Sequence, residues 1–323
     1  MKRRDFVAAA SAAALPGLSW AQDKYPSKPV RLIVPFPPGG PTDMMGRAAA
    51  RAMSEQLGQS FVVENRAGAA GNIGTDAAAK AAPDGYLIAL SAISSLAIAP
   101  HMYSKMPFNV EKDLAPISLV GTTPCAIVAN PNAPFSDLKG MIAYAKANPG
   151  KISYATSGIG TSNHLAAELL QSVAGFQMTH VPYKGSSQIV PDLISGVVPV
   201  SVESSLVTTL QHVKAGKLKA IAVTSAKRAS VWPDVPTVAE SGYPGFEVES
   251  WFGLVASAAT PPAIINKLQA AWAAGAVTAE TRTAFDNIPA NERVTTPAEF
   301  GAFIKSEDKR WGELIRKLGI KAD

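Results

Sequence analysis

The sequence predicts an α/β protein of two lobes joined by two crossing segments, with a ligand cleft between them. Three observations predict it. Short β-branched runs alternate with helical patterns, two of these runs end in glycine turns that open helices, and the alternation falls into two series separated by extended stretches. With 323 residues, 47% of them hydrophobic, the chain can bury one large core or two moderate ones.

Lys2-Arg3-Arg4 is a basic head, Val7 to Leu18 is apolar and alanine-rich, and Ser19-Trp20-Ala21 is a small-x-small cleavage pattern. Residues 1–21 therefore read as a cleavable signal peptide and the product as periplasmic or secreted. Arg3-Arg4-Asp5-Phe6 also fits the twin-arginine form, so the general and twin-arginine routes are both open. A membrane anchor is not expected, because the apolar run falls short of the ~20 residues a span needs and Pro16-Gly17 interrupts it.

The first series begins with a strand at Val30 to Val34, prolines, Gly39-Gly40, and a helix from Pro41 to Leu57. Proline suits the first helical position, where its missing N–H costs nothing. A strand at Phe61 to Asn65, a second glycine turn at Gly68 to Gly74, a helix at Thr75 to Ala82 and a strand at Tyr86 to Leu90 follow, which argues for a mainly parallel sheet. Extended segments at Ile117 to Val120 and Cys125 to Ala129, around Gly121 to Pro124, mark the first crossing. Ser136 is expected to cap a helix running to Asn148.

The second series has strands at Ile152 to Thr156, Thr179 to Tyr183, Val197 to Val202 and Leu218 to Thr224, with helices at Ser162 to Val173, Ile189 to Ser195 and Ser205 to Ala215. Prolines and glycines over residues 227–246 predict a long surface connection, and Phe246 to Ala256 a strand returning to the first lobe. Helices at Pro262 to Ala274, Ala279 to Asn287 and Pro297 to Leu318 close the molecule. The expected division is residues 22–120 with 253–323 in lobe 1, and 121–252 in lobe 2.

Composition excludes several functions. The head's Lys2, Arg3, Arg4 and Asp5 account for +2 of the formal +5, and the remaining +3 is too weak and dispersed for nucleic acid. His101, His164, His180 and His212 lack zinc-type spacing, so no metal is expected, and neither G-x-S-x-G nor a phosphate-binding G-x-x-x-x-G-K-[ST] occurs. Gly68 to Gly74 has the spacing G-x-x-G-x-x-G, not a dinucleotide fingerprint, and no cofactor is expected. Cys125, the only cysteine, lies among apolar neighbours and reads as a buried strand thiol.

What remains is a pair of turns ready for an anion. Helix N-termini expose unpaired N–H groups carrying roughly half a positive charge. The first turn ends at Gly40, and the second reads Ser157-Gly158-Ile159-Gly160-Thr161-Ser162, with hydroxyls that can cap the helix or donate to a ligand. Two such turns on separate lobes point to a ligand at the carboxyl ends of the strands. Phe36 can stack on the ligand or cover the core, and His164, one turn inside its helix, braces the turn. Lys184 reads as a solvated lysine that can also supply charge. Glu203, at a strand end, either selects against a second acidic group or holds an amine, hydroxyl or water.

Further motifs bear a family resemblance: Pro35-Phe36-Pro37-Pro38-Gly39-Gly40-Pro41-Thr42-Asp43, Glu64 to Gly74, Pro83-Asp84-Gly85-Tyr86, Val181-Pro182-Tyr183-Lys184-Gly185 and Pro233 to Pro244. Together they resemble the Bug proteins, the substrate-binding receptors of tripartite tricarboxylate transporters. The resemblance implies a type II-like periplasmic binding protein, monomeric and non-enzymatic, that closes over a small carboxylated ligand and delivers it to membrane permease subunits or a sensor protein. Carried over, it points to Phe36, Gly39, Gly40, Thr42 and Asp43 on one lobe and Ser157, Gly158, Thr161 and Ser162 on the other. Ala69, Tyr183 and Glu203 complete the candidate set. Glu203 and Ser94-Ser95 depart from common family residues, an aspartate and a threonine-histidine pair. The competing class is a periplasmic hydrolase or isomerase using Ser162, His164 and Glu203.

Overall fold

The computed structural model describes residues 25–204 and 206–322, so the expected signal peptide lies outside the described residues. The chain runs β1 (Val30–Val34), α1 (Pro41–Leu57), β2 (Phe61–Asn65), α2 (Asn72–Ala79), β3 (Leu87–Ala92), a π-helical turn at Ser94–Ile98, α3 (Ala99–Met102), α4 (Val110–Asp113) and β4 (Leu114–Pro124). Beyond Cys125 it continues with β5 (Ala126–Ala129), α5 (Leu138–Ala147), β6 (Ser153–Thr156), α6 (Ser162–Ala174), β7 (Thr179–Pro182), α7 (Ile189–Ser195), β8 (Val200–Glu203), α8 (Leu210–Lys214) and β9 (Lys219–Val223). A long connection returns it to β10 (Glu249–Ser257), α9 (Pro262–Ala276), α10 (Ala279–Asp286), β11 (Asn291–Glu292) and α11 (Pro297–Leu318).

Two sheets result, in the orders β11-β4-β10-β3-β1-β2 and β7-β6-β8-β5-β9. Both are mixed, where a mainly parallel arrangement was expected. β1 is parallel to β2 and β3, and β6 to β7 and β8, but β10 is antiparallel to β3 and β4, and β5 to β8 and β9. The cause is the crossing itself. β5 and β10 enter their sheets from the cleft end, against strands that leave their sheets there.

Thr224 ties the two crossings together. Its N–H donates to the Cys125 carbonyl at 3.0 Å, the Cys125 N–H donates to its Oγ1 at 3.1 Å, and the Val248 N–H donates to its carbonyl at 2.9 Å. Cys125 falls between β4 and β5, not within the expected strand; it is fully buried at this junction, and burial pushes its thiol up to about 11, as suits a structural thiol and not a nucleophile.

Several boundaries differ from expectation for local reasons. Gly121 to Pro124 does not break the chain, because β4 pairs with β10 as far as the Glu249–Pro124 register. Asp137, not Ser136, caps α5, accepting from the Gly140 N–H at 2.7 Å. α8 is a single turn and a half from Leu210, preceded by a turn and not by the helix expected from residue 205. The long connection over 227–246 is pinned by the buried side chains of Trp232, Val238 and Phe246.

The first sheet is packed on one face by α1 and α9 through Met45, Met53, Leu268 and Trp272. A second cluster runs from this lobe through Cys125 into the other, joining Ile33, Trp251 and Phe300 to Tyr154 and Leu165. Within it, Glu307 Oε2 accepts from the indole N–H groups of Trp251 at 2.9 Å and Trp311 at 3.0 Å. Glu307→Ala strands both donors, and a loss of about 2 kcal/mol in chemical denaturation is expected.

Candidate functional site

Both expected strand-turn-helix devices form, and both open on one cavity between the sheets. β1 ends in the Pro35 to Gly40 turn, where Gly39 has a φ of 81°, open to glycine at no steric cost. Gly40 is the N-cap of α1, with Pro41 in the first turn, and no side chain caps it. β6 ends in the turn leading to α6, whose N-cap Thr161 likewise makes no side-chain capping bond. Its hydroxyl instead donates to the Gly158 carbonyl at 2.6 Å, and the Ser157 hydroxyl donates to Asn163 Oδ1 at 3.0 Å. The hydroxyls that could have capped α6 are thus spent on shaping the turn. The N-terminal N–H groups of two long helices are left to the cavity.

The cavity spans about 480 Å³ of atom-free space, including its open mouth. Phe36, Gly40 and Thr42 line it from one lobe, and Ser157, Thr161 and Ser162 from the other. Among the described residues no charged side chain lines it, so its attraction for an anion comes from peptide dipoles and hydroxyls. The lobes meet across it: Ser162 Oγ is 2.5 Å from Ser250 Oγ, and Thr123 Oγ1 donates to the Ser204 carbonyl at 2.6 Å. Pro37 packs so closely on Gly185 that a Cβ there would come within 3.1 Å.

The remaining sequence candidates take supporting places. Gly39 is exposed at the tip of the turn. Asp43 is buried, with Oδ2 accepting from the Gly39 N–H and from Arg47 Nε, both at 3.0 Å, and Oδ1 from Asn65 at 2.9 Å. Burial alone would raise its carboxyl, but the bonds from Arg47, Gly39 and Asn65 outweigh it and hold the group below its ordinary value. Gly158 shapes the second turn at a φ of 135°, and Ala69 is exposed and away from the cavity wall. Tyr183 donates to Asp192 Oδ2 at 2.6 Å, and Lys184 is exposed. Glu203 is fully buried behind the wall. Phe36 forms part of the wall, and its ring rests on Gly71.

Ser94, from the π-helical turn, and Gly185 join the wall, and residues without a sequence signal complete it: Ser186, Ser187, Ser204, Ser250 and Phe252. Ser94 also donates to the Ala70 carbonyl at 2.7 Å, bracing a loop in which Ala69 and Ala70 both hold positive φ. The alternative enzymatic set is not assembled. Ser162 bonds to Ser250, His164 Nδ1 accepts from the Gly160 N–H at 3.3 Å, and Glu203 hydrogen-bonds neither of them.

His164 therefore braces the second turn, and it does so as a neutral ring stacked 4.3 Å from His180. Burial pushes His164 from the ordinary 6.5 down to about 4, and burial with the neighbouring ring does the same to His180. Their contribution is whole above pH 6.5 and is lost as pH falls through about 4, because the unfolded rings take up protons first. The melting temperature is expected to fall over that window by several degrees, and by less in His164→Asn.

A two-lobed α/β protein with one uncharged, dipole-lined cleft is a solute-binding protein in form. Comparison with known proteins places it more closely. Residues 45–320 match the family model described as tripartite tricarboxylate transporter family receptor, and the chain belongs to that family. It is 41% identical over 300 residues to protein BugT of Bordetella pertussis, covering 93% of this chain and 92% of that one. A solved R. palustris protein with adipate superposes with a TM-score of 0.88 at 32% identity, over 92% of this chain and 99% of that one. MatC of Rhodopseudomonas palustris, with bound malate, gives 0.83 at 29% identity, over 90% and 100%. The family and these neighbours make this a periplasmic protein of the receptor class. Among the described residues no helix is long and apolar enough to cross a membrane.

Proposed function

We propose that the protein captures a small carboxylated organic molecule between its lobes, the carboxylate sitting between the N-termini of α1 and α6, and presents it to permease subunits of a tripartite transporter. The observation that carries this reading is the pair of long helices whose N-caps, Gly40 and Thr161, lack side-chain caps and flank one cavity. Carboxylate-bound relatives support the ligand class. In this reading Phe36, Gly40, Thr42, Ser157, Thr161 and Ser162 touch the ligand, while Gly39, Asp43 and Gly158 hold the turns. Lobe 1 comprises residues 25–124 and 249–322 and lobe 2 residues 125–248, four residues beyond the expected division at each crossing because β4 and β10 lie wholly in the first sheet; the chain acts as a monomer without catalysis, and residues 1–21 direct export.

Titration of mono- and dicarboxylates into the purified protein tests the reading. At about a hundred times its dissociation constant a ligand adds about 2.7 kcal/mol, a rise of several degrees in melting temperature. A broad panel giving neither a shift nor heat would refute it.

A further inference from the structure

Behind the cleft wall stands a cluster of polar side chains that the helix-terminus clamp does not use. Glu203 ends β8 completely buried, and neither carboxylate oxygen has a hydrogen-bond partner. The hydroxyls of Ser201, Ser186 and Thr208 surround it closely enough to favour its ionised form, although none makes a regular hydrogen bond to it, and Ser201 Oγ and Thr208 Oγ1 are themselves buried and unpartnered. Polar atoms orphaned together in this way are costly, and such a cluster calls for a further group to satisfy it. No charged or other titratable residue is among the groups acting on Glu203. The cluster adjoins the cleft at Ser186, which lines the cavity with its hydroxyl 3.5 Å from that of Ser204, another wall residue.

All of these oxygens accept hydrogen bonds, and an ionised carboxylate can only accept. Their complement is a cation with several donors. A second carboxylate on the ligand would meet the opposite: a wall with no positive side chain and an acid beside it. We infer that Glu203, with Ser186, Ser201 and Thr208, forms a distal subsite for the ammonium group of an amino-substituted carboxylate, so that the cleft selects zwitterions over dicarboxylates. This rests on the carboxylate reading above. Burial pushes the Glu203 carboxyl up to about 7, and an ammonium beside it favours the ionised form, so binding near neutral pH releases a proton from Glu203 to solvent.

Isothermal calorimetry with ω-amino carboxylates and dicarboxylates of matched chain length, on the purified protein and on Glu203→Gln and Ser186→Ala, tests the subsite. At least one amino carboxylate is expected to bind about tenfold or more tighter than its matched dicarboxylate. At mildly acidic pH its heat should depend on the buffer through the released proton, and the affinity ratio should fall toward one in both variants. An equal or reversed preference in the unaltered protein overturns the subsite. So does a ratio that survives Glu203→Gln, or equal losses for both series, the mark of a cluster that only orders water. In each of those cases a carboxylate still binds and the clamp stands; if neither series binds, both readings fall.

Discussion

Replacing Gly40 by leucine is expected to abolish carboxylate binding while the protein stays folded. Gly40 has a φ of −87°, which any residue adopts, and the nearest heavy atom to an added Cβ is the Pro37 carbonyl oxygen at 3.8 Å. The backbone therefore tolerates the change, at a cost of about 1 kcal/mol for a poorer N-cap. The side chain, however, enters the cavity that Gly40 lines and covers the end of α1. A rise in dissociation constant of about a hundredfold or more, roughly 3 kcal/mol, should appear in calorimetry, with the melting temperature lowered by only a few degrees. Normal binding by this variant would move the clamp elsewhere. Gly39 is a poorer test, because its φ of 81° strains any replacement and confounds folding with binding.

Glu203→Gln is expected to stabilise the ligand-free protein at alkaline pH. The folded carboxyl titrates near 7, raised by burial from the ordinary 4.5. Such a group supports the fold below about pH 4.5 and withdraws that support as pH rises through about 7, because the unfolded chain ionises first. The shift corresponds to about 3 kcal/mol at pH well above 7, an upper figure since the amide must also find partners among Ser201, Ser186 and Thr208. Melting curves should show a gain of several degrees for Glu203→Gln at about pH 8 and almost none at about pH 5. A pH-independent difference would mean that the carboxylate is solvated or paired. A stability cost kept at a cleft wall is the usual mark of a site held for function.

The parts of the fold that were legible in the sequence are those with local causes. Val30 to Val34, the prolines, the paired glycines and Pro41 name a strand, a turn and a helix start in chain order, and they form just that in β1 and α1. The helix expected over Ser162 to Val173 was equally plain; it runs one residue further, to Ala174, and ends at Gly175 in the left-handed conformation. β4 was read too short because Gly121 and Pro124 ordinarily punctuate, whereas here the pairing with β10 carries the strand through them. Of the cavity wall, the two turns could be found because glycine and hydroxyl residues cluster before a helix. Ser186, Ser204, Ser250 and Phe252 could not, since they come from three separate places in the chain and share only the cleft. Asp43 shows the reverse: a carboxylate in a binding motif whose partners, Asn65 and Arg47, make it a strut of the turn.

The uncharged wall has a consequence for letting go. A guanidinium would follow its anion as the lobes parted, on a long flexible side chain, and its pull would reach roughly a Debye length of ~8 Å through salt water. A helix terminus is fixed in its lobe, and its field fades within the first turn. With α1 carried by one sheet and α6 by the other, a carboxylate between them would lose half of its donors as soon as they separated. Tight holding and quick discharge would then be the same geometry at two spacings, and ionic strength should scarcely move the affinity.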